Sequence, residues 1–228
     1  MTGGRELGAG ADLRGDVYRR LGVEPIVNGR STFTILGGSL MPPVVLGAMR
    51  DAAECFVDLV ELQDAVGRRI AELTRNEAAF VAGGAAAGLF LAAAAAMLRH
   101  TDDGLLRPGD DRDVPRDFVI HAAHRIPYEV AIGLAGGRLV EIGSAAGTRA
   151  HELDAALGPG TAAILYVPKP DLASVVVPLE QVVAVAARHG VPVIVDAAAQ
   201  LPPAESLWRF TEAGADLAVF SGGKALCG

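Results

Sequence analysis

Short apolar runs alternate with helical stretches along the second half of the chain. The runs predict strands near Phe118–His121, Arg138–Ile142, Ala162–Val167, Val191–Asp196 and Asp216–Phe220. The intervening segments predict helices near Pro127–Leu134, His151–Leu157, Pro178–His189 and Glu205–Ala213. Continuous apolar strands joined by single helices are typical of a parallel sheet that is buried on both faces. We therefore predict an α/β fold with a mostly parallel sheet sandwiched by helices.

The first half of the chain has a different pattern. Apolar positions predict a short helix at Asp16–Gly22, a helix from Pro43, a second helix over Leu59–Leu73, a short strand at Glu77–Val81 and a helix over Ala85–Leu98. The helix over Leu59–Leu73 carries one apolar stripe, formed by Leu59, Leu62, Val66, Ile70 and Leu73. The polar, Gly-rich segment Glu24–Pro43 is too irregular for a long helix and predicts an extended arm that lies over another part of the protein.

These patterns divide the chain into three parts. Residues 1–16 are predicted to be a disordered leader, residues 17–75 an arm with helices, and residues 76–228 a large α/β domain. The charged segment 99–116 is longer than an ordinary connection and predicts a surface insertion.

Composition narrows the class of protein. Aromatic residues make up only 5% of a chain that is 51% hydrophobic, so small aliphatic side chains must build the core. The net charge is −7 and no basic run occurs, which argues against binding to nucleic-acid phosphates. The most apolar stretch, Ala85–Leu98, is too short to span a bilayer, and the N-terminus lacks the apolar run of a signal peptide. We expect a cytoplasmic protein.

Two charged residues end neighbouring predicted strands. Asp196 ends one, and the next runs into Ser221-Gly222-Gly223-Lys224. A lysine amine can form an imine with the aldehyde of pyridoxal phosphate, while a carboxylate can keep the pyridine nitrogen protonated. The alternative is a salt-bridged strand end with a surface lysine.

Other small and polar residues are predicted at the same edge. The turn Gly83–Gly88 offers backbone N–H groups to a phosphate at a helix N-terminus, although it also suits close packing alone. Its spacing fits neither the dinucleotide-binding fingerprint nor the nucleoside-triphosphate loop. Ser221 is a second candidate for the phosphate, and Ala198 is small enough for a flat ring to lie beside it.

The segment His121-Ala-Ala-His124 follows a strand and can supply an imidazole that stacks on such a ring. A metal site is a poorer interpretation, because no thiolate or carboxylate lies nearby in the sequence. A histidine in the core or at a cap remains open for either residue.

Several stretches together resemble a known family. They are Leu36–Pro43, Val66–Leu73, His124–Tyr128, Val193–Pro203 and, most specifically, Gly214–Lys224. The chain resembles the fold-type-I pyridoxal-phosphate enzymes, in the group related to bacterial L-seryl-tRNA(Sec) selenium transferase and D-glucosaminate-6-phosphate ammonia-lyase. The resemblance implies the large domain of an aspartate aminotransferase-like fold and a homodimer.

The resemblance also assigns roles. It implies Lys224 as the imine lysine, Asp196 as the partner of the pyridinium, Gly84 and Ala85 with Ser221 as the phosphate cup, and His124 as the residue stacked on the ring. Two departures stand out: relatives tend to carry a hydroxyl residue where Gly83 begins the cup, and they continue far beyond the lysine, whereas this chain ends at Gly228. We therefore expect the C-terminal small domain to be absent.

The implied activity is that of a lyase or transferase acting by elimination or exchange at the β-carbon of an amino acid or amino sugar acid. Two alternatives remain. One is a catalytically degenerate or partial family member that pairs with a homologue. The other is selenium transfer to seryl-tRNA, which the acidic composition disfavours.

Overall fold

The computed structural model describes residues 15–99, Thr101 and 114–228. Its helices are α1 (Asp16–Arg19), α2 (Pro43–Ala53), α3 (Leu59–Thr74), α4 (Ala85–Leu98), α5 (Val130–Leu134), α6 (Ala150–Ala156), α7 (Leu179–His189) and α8 (Ser206–Glu212). Its strands are β1 (Asp117–His121), β2 (Arg138–Ile142), β3 (Thr161–Tyr166), β4 (Val193–Asp196) and β5 (Leu217–Val219). Most of the predicted leader and of the predicted charged insertion lies outside the described residues.

The strands form one parallel sheet in the order β2-β1-β3-β4-β5. All five carboxyl ends therefore lie along one edge. From β1 the chain passes to β2 on one side of β1, whereas β3, β4 and β5 follow in order on its other side. Ligands in such sheets bind beyond the edge formed by the carboxyl ends of the strands. The predicted α/β fold, with a mostly parallel sheet sandwiched by helices, is confirmed.

Two cores cover the faces of the sheet because successive strand residues point to opposite sides. Phe118 and Ile120 pack with α4 and α5 on one face. Val119 and Ile164 pack with α6, α7 and α8 on the other. The continuous apolar runs of the sequence are thus explained by burial on both sides of the sheet.

The predicted strand at Glu77–Val81 is wrong. These residues form no regular secondary structure, and they pair with no strand of the described chain. They lie instead against α3, where the Gln63 amide donates to the Val81 carbonyl at 3.2 Å. A Cβ added to Gly67 would lie 2.5 Å from the Ala79 carbonyl oxygen. The side chains of this run stay largely open, with Phe80 68% and Val81 48% exposed, so the run lacks the burial on both faces that strands such as β3 and β4 have.

Large apolar side chains of the N-terminal helices face outwards. Leu59 is 74% exposed and Leu73 is 59% exposed, so the predicted stripe on α3 is not the buried one. The small residues Gly67 and Ala71 make the buried contact of this helix. Along the part of the chain that is described, no helix has the length and apolar character needed to cross a membrane.

Candidate active site

The carboxyl ends of β4 and β5 bring Asp196 and the lysine loop together. Asp196 is in register with Val219, and the amide of Ala197 donates to the Val219 carbonyl at 2.8 Å. Two residues beyond Val219 the chain enters the loop Ser221–Gly228, which carries Lys224. The sequence prediction of a carboxylate and a lysine at one sheet edge therefore matches the geometry.

Burial controls the charge of Asp196. The side chain is only 5% exposed, and this desolvation raises its pKa above the usual value for aspartate. A hydrogen bond from the Ala198 amide to Oδ1, at 3.0 Å, and the charge of Lys224 oppose the shift. Oδ2 accepts no hydrogen bond from the residues that the structure describes. A cationic N–H group would complete this carboxylate.

The N-terminus of α4 lies beside the same edge. Gly84, with φ +118°, begins the helix in a conformation that other residues rarely adopt, and no side chain caps its first turn. A Cβ added to Gly88 would lie 2.9 Å from Cγ1 of Val219, so the first turn packs directly against the end of β5. Free N–H groups at Ala85 and the following residues suit an anion. The predicted cup residues Gly84 and Ala85 therefore lie next to the loop with Ser221.

The lysine loop is closed mainly on itself. The Lys224 amide donates to Ser221 O at 3.4 Å, and the Gly228 amide donates to Gly222 O at 2.9 Å. Ser221 and Lys224 are both partly exposed, and the Ser221 hydroxyl makes no hydrogen bond with the described part of the chain. Both side chains are accessible to a ligand.

His121 and His124 are fully buried at the end of β1. Their ring centroids are 4.9 Å apart, and His124 lies edge-on to Tyr166 at 4.7 Å. Burial lowers the pKa of His121 to about 4, and burial with the nearby charges of His121 and Lys169 lowers that of His124 to about 3. Both rings are therefore neutral near pH 7. Because His124 has no exposed face here, its stacking on a cofactor remains a prediction.

Most of the ring nitrogens of the two buried histidines have no hydrogen-bond partner among the residues that the structure describes. Nδ1 of His124 accepts from the Val167 amide at 3.3 Å, so the neutral ring carries its proton on Nε2. That Nε2 and both ring nitrogens of His121 have no hydrogen-bond partner in the described structure. Unpartnered buried polar groups are rare and costly, and a catalytic role is one of the reasons for which proteins retain them.

Sequence reasoning missed two polar groups at the sheet edge. Lys169 follows β3, and its Nζ donates to the carbonyls of Ala123 at 2.8 Å and Arg125 at 3.0 Å. The Gln200 amide donates to Pro168 O at 2.8 Å and joins this loop to the one after Asp196. No spacing in the sequence predicts these contacts.

The N-terminal arm, which the sequence predicted to lie over another part of the protein, also reaches the site. The amide and the hydroxyl of Ser39 both donate to Gly223 O, at 3.0 and 3.1 Å. Gly223 immediately precedes Lys224. The arm therefore contacts the main chain of the candidate catalytic lysine.

The chain is similar to two enzymes of known activity. No protein-family model matches it. Over 216 residues the chain is 39% identical to a 5'-C-glycyluridine monooxygenase-decarboxylase of a Streptomyces species, covering 92% of this chain and 53% of the relative. Over 215 residues it is 32% identical to the D-glucosaminate-6-phosphate ammonia lyase of Salmonella typhimurium, covering 92% of this chain and 57% of the relative.

A solved structure extends the second likeness. The structure of a D-glucosaminate-6-phosphate ammonia-lyase matches with a TM-score of 0.84 and 32% identity, covering 92% of this chain and 57% of that one. The chain thus spans about half the length of the curated relatives it matches.

Proposed function

We propose that the chain belongs to the family of fold-type-I pyridoxal-phosphate enzymes that contains D-glucosaminate-6-phosphate ammonia lyase, and that its site at the ends of β4 and β5 binds pyridoxal phosphate. The observation that carries the proposal is the buried Asp196 carboxylate, with one oxygen unpartnered, beside an accessible Lys224. The proposed activity is that of a lyase or transferase acting by elimination or exchange at the β-carbon of an amino acid or amino sugar acid.

The residues present fit this cofactor. A phosphate suits the uncapped N-terminus of α4, where Gly84 has open space around its missing side chain, together with the free hydroxyl of Ser221. A protonated ring nitrogen suits Asp196, because a buried carboxylate is stabilised by a cationic donor. Ala198 leaves room beside this carboxylate. We propose these residues as the cofactor-binding set.

When bound, pyridoxal phosphate supplies an electron sink that stabilises negative charge at the carbon bearing the substrate amine. The Lys224 amine is the group that we propose holds the cofactor covalently and that moves a proton to and from the substrate at its Nζ. Asp196 holds a negative charge where the ring nitrogen would lie. His124 and His121 contribute neutral rings behind the edge, and contact between His124 and the cofactor is part of the proposal.

A second candidate activity comes from the Streptomyces relative. Its name describes a monooxygenase and decarboxylase acting on an amino-acid-substituted nucleoside, and its identity to this chain is the higher of the two. Such a reaction releases carbon dioxide and consumes oxygen, whereas an ammonia lyase releases ammonia. Under this proposal the two candidate activities would use the same site of this chain and differ in the bond that is broken.

We also propose that the chain forms a homodimer. Apolar side chains cluster without cover on α2, on α3 and on the loop between them, where Phe56 is fully exposed and Val60 is 72% exposed. Exposed apolar patches of this kind mark interaction surfaces. A partial family member that requires a homologue as partner would expose the same surface.

The experiment that tests the cofactor is an absorbance titration. The purified chain is mixed with pyridoxal phosphate, reduced with borohydride and digested, and sedimentation of the same sample reports its mass. We expect a protein-bound band, fixed by borohydride at Lys224 and absent from Lys224→Ala. Lys169→Ala is the matched control, because Lys169 is a second partly exposed lysine at the same edge, and it should retain the band.

Turnover then distinguishes the candidates. D-glucosaminate 6-phosphate, simple amino acids and an amino-acid-substituted uridine are supplied, and released ammonia, released carbon dioxide and oxygen uptake are measured. Ammonia without oxygen uptake supports the lyase, while carbon dioxide with oxygen uptake supports the second candidate. A band that survives in Lys224→Ala would contradict the assignment of the lysine, and a bound cofactor without turnover would indicate the partial or degenerate family member.

A further inference from the structure

In the described structure, the hydrogen bonds that other segments make to the loop carrying Lys224 come from the N-terminal arm. Beyond the end of β5, the bonds within residues 221–228 of the described structure join that loop to itself. The exceptions are the two bonds from Ser39, whose amide and hydroxyl both donate to Gly223 O. The position of the Lys224 main chain is thus set by β5 on one side and by the arm on the other.

The arm is shaped for this contact by two glycines. Gly37 and Gly38 have φ of +88° and +80°, a left-handed conformation that glycine adopts without strain. Gly37 ends a 3-10 turn, Thr34–Leu36, and its amide donates to Thr34 O at 3.0 Å. The second left-handed residue then directs the chain so that Ser39 faces Gly223.

Gly38 also lies too close to the lysine loop for any side chain. A Cβ at this position would be 2.1 Å from Gly223 O and 3.1 Å from Gly223 C, far inside van der Waals contact. A Cβ at Gly37 would meet nothing within 4 Å. The two glycines therefore have the same backbone requirement, and only Gly38 has the steric one.

We propose that the segment Gly37–Ser39 positions Lys224 for the cofactor, with Ser39 as a positioning residue that acts through the Gly223 carbonyl. This inference rests on the proposed function, since it concerns the lysine that holds pyridoxal phosphate. Ser39 is partly buried and Gly223 is exposed, so the arm covers one side of a loop that is otherwise open to solvent. Removing the contact leaves the loop 221–228 without a hydrogen bond to any other segment of the described chain beyond β5.

The variants form matched pairs. Gly38→Ala and Gly37→Ala carry the same left-handed strain, and their difference isolates the contact with Gly223. Ser39→Ala removes the hydroxyl bond and keeps the amide bond, whereas Ser39→Thr keeps both. Each variant is made in the full chain.

Three measurements are made on each variant. Hydrogen exchange at the Ser39 amide reports the contact without cofactor. Titration with pyridoxal phosphate gives its dissociation constant. The pH dependence of the absorbance of the lysine-bound cofactor reports the environment of Nζ, which a purely structural change elsewhere would not alter.

We expect Ser39→Ala to weaken cofactor binding about two- to tenfold, the equilibrium effect of one ordinary hydrogen bond. Ser39→Thr should restore it. Gly38→Ala should bind at least about tenfold more weakly than Gly37→Ala, because both bonds to Gly223 are lost. In Gly38→Ala the Ser39 amide hydrogen should also exchange faster, and the pH dependence of the absorbance of the lysine-bound cofactor should shift.

Contrary results separate this inference from the proposed function. Equal cofactor affinity and equal pH dependence in Gly38→Ala and Gly37→Ala would overturn the positioning role and leave the cofactor assignment standing. Absence of cofactor binding in the wild-type chain, with the Ser39 amide protected from exchange, would overturn both and leave only the contact.

Discussion

The buried histidine pair predicts a steep loss of stability in acid. Folding lowers the pKa of His121 from 6.5 to about 4, so the unfolded chain binds a proton in this interval that the folded chain excludes. A folded-state pKa below the unfolded value means that stability is present above pH 6.5 and is lost as the pH falls towards 4. About 2.5 pKa units at about 1.4 kcal/mol each give roughly 3 kcal/mol from His121 alone.

The test replaces His121 with leucine, which fills similar space and cannot bind a proton. Urea unfolding is followed from pH 7.5 to pH 4.5 in the wild type and in His121→Leu. The variant should lose about 2 to 3 kcal/mol less than the wild type over this interval. Removing His121 also removes one of the charges that lower the pKa of His124, which reduces the dependence further.

A control and a refuting result complete the design. His151→Leu removes a histidine that is exposed on α6, and its acid dependence should follow that of the wild type. Carboxylates titrate in the same interval, but their contributions cancel in the difference between variants. Parallel wild-type and His121→Leu curves would show that His121 takes up its proton in the folded state at its ordinary pKa, and the argument from burial would then be wrong.

Two further substitutions test the cofactor set. Asp196→Asn should weaken pyridoxal phosphate binding about tenfold or more, as expected for a lost charge-assisted hydrogen bond. Burial raises the pKa of Asp196, which means that the buried charge destabilises the free chain. Removing the charge should therefore raise the urea midpoint of the free chain at pH 7.5. Unchanged cofactor affinity would contradict the role of the carboxylate. Gly84→Ala should cost about 1 to 3 kcal/mol of stability, because the backbone at this position has a positive φ that alanine rarely adopts. It should also weaken cofactor binding by displacing the N-terminus of α4, and urea unfolding and the same titration measure the two effects. Gly83→Ala is the control, because Gly83 has equally open space and no positive φ. Equal stability and equal cofactor affinity of the two variants would contradict the proposed role of Gly84 in holding the phosphate.

The sheet could be predicted from the sequence because its signal is local. Each strand is a short apolar run between two packed layers, so the five strands predicted in the second half of the chain occur where expected, and β2 has the predicted bounds. The helix Ala85–Leu98 also has its predicted bounds, since an alanine-rich segment between a glycine turn and polar residues has few alternatives. The position of Asp196 beside Lys224 followed from the parallel order of neighbouring strands.

Contacts between distant backbone segments could not be predicted in this way. Periodicity selected the large residues of α3, yet Gly67 and Ala71 make its buried contact, because the backbone of residues 77–81 approaches too closely for larger side chains. The same cause hid the contact between Gly38 and Gly223. Hydrophobic patterns report where side chains are buried, and they carry little information where two backbones meet.

The sequence left open whether His121 and His124 face a ligand or lie in the core. In the structure both rings are buried and contact Tyr166. A polar residue type at a strand end indicates function only when its side chain points outwards, and the sequence does not give that direction.

The two chemical groups of the site therefore depend on different parts of the fold. Asp196 ends a strand that is buried on both faces, so its position is fixed by the two cores of the sheet. Lys224 lies on a loop whose outside hydrogen bonds come from the arm, and the arm exposes Ile35 at 82% and Leu40 at 94%. Because these side chains gain little by packing within the described chain, the arm is held mainly by main-chain contacts. A second copy that covered them would restrain the arm, and through Gly223 it would restrain Lys224. Dimerisation and cofactor binding would then stabilise each other, since each orders the same segment.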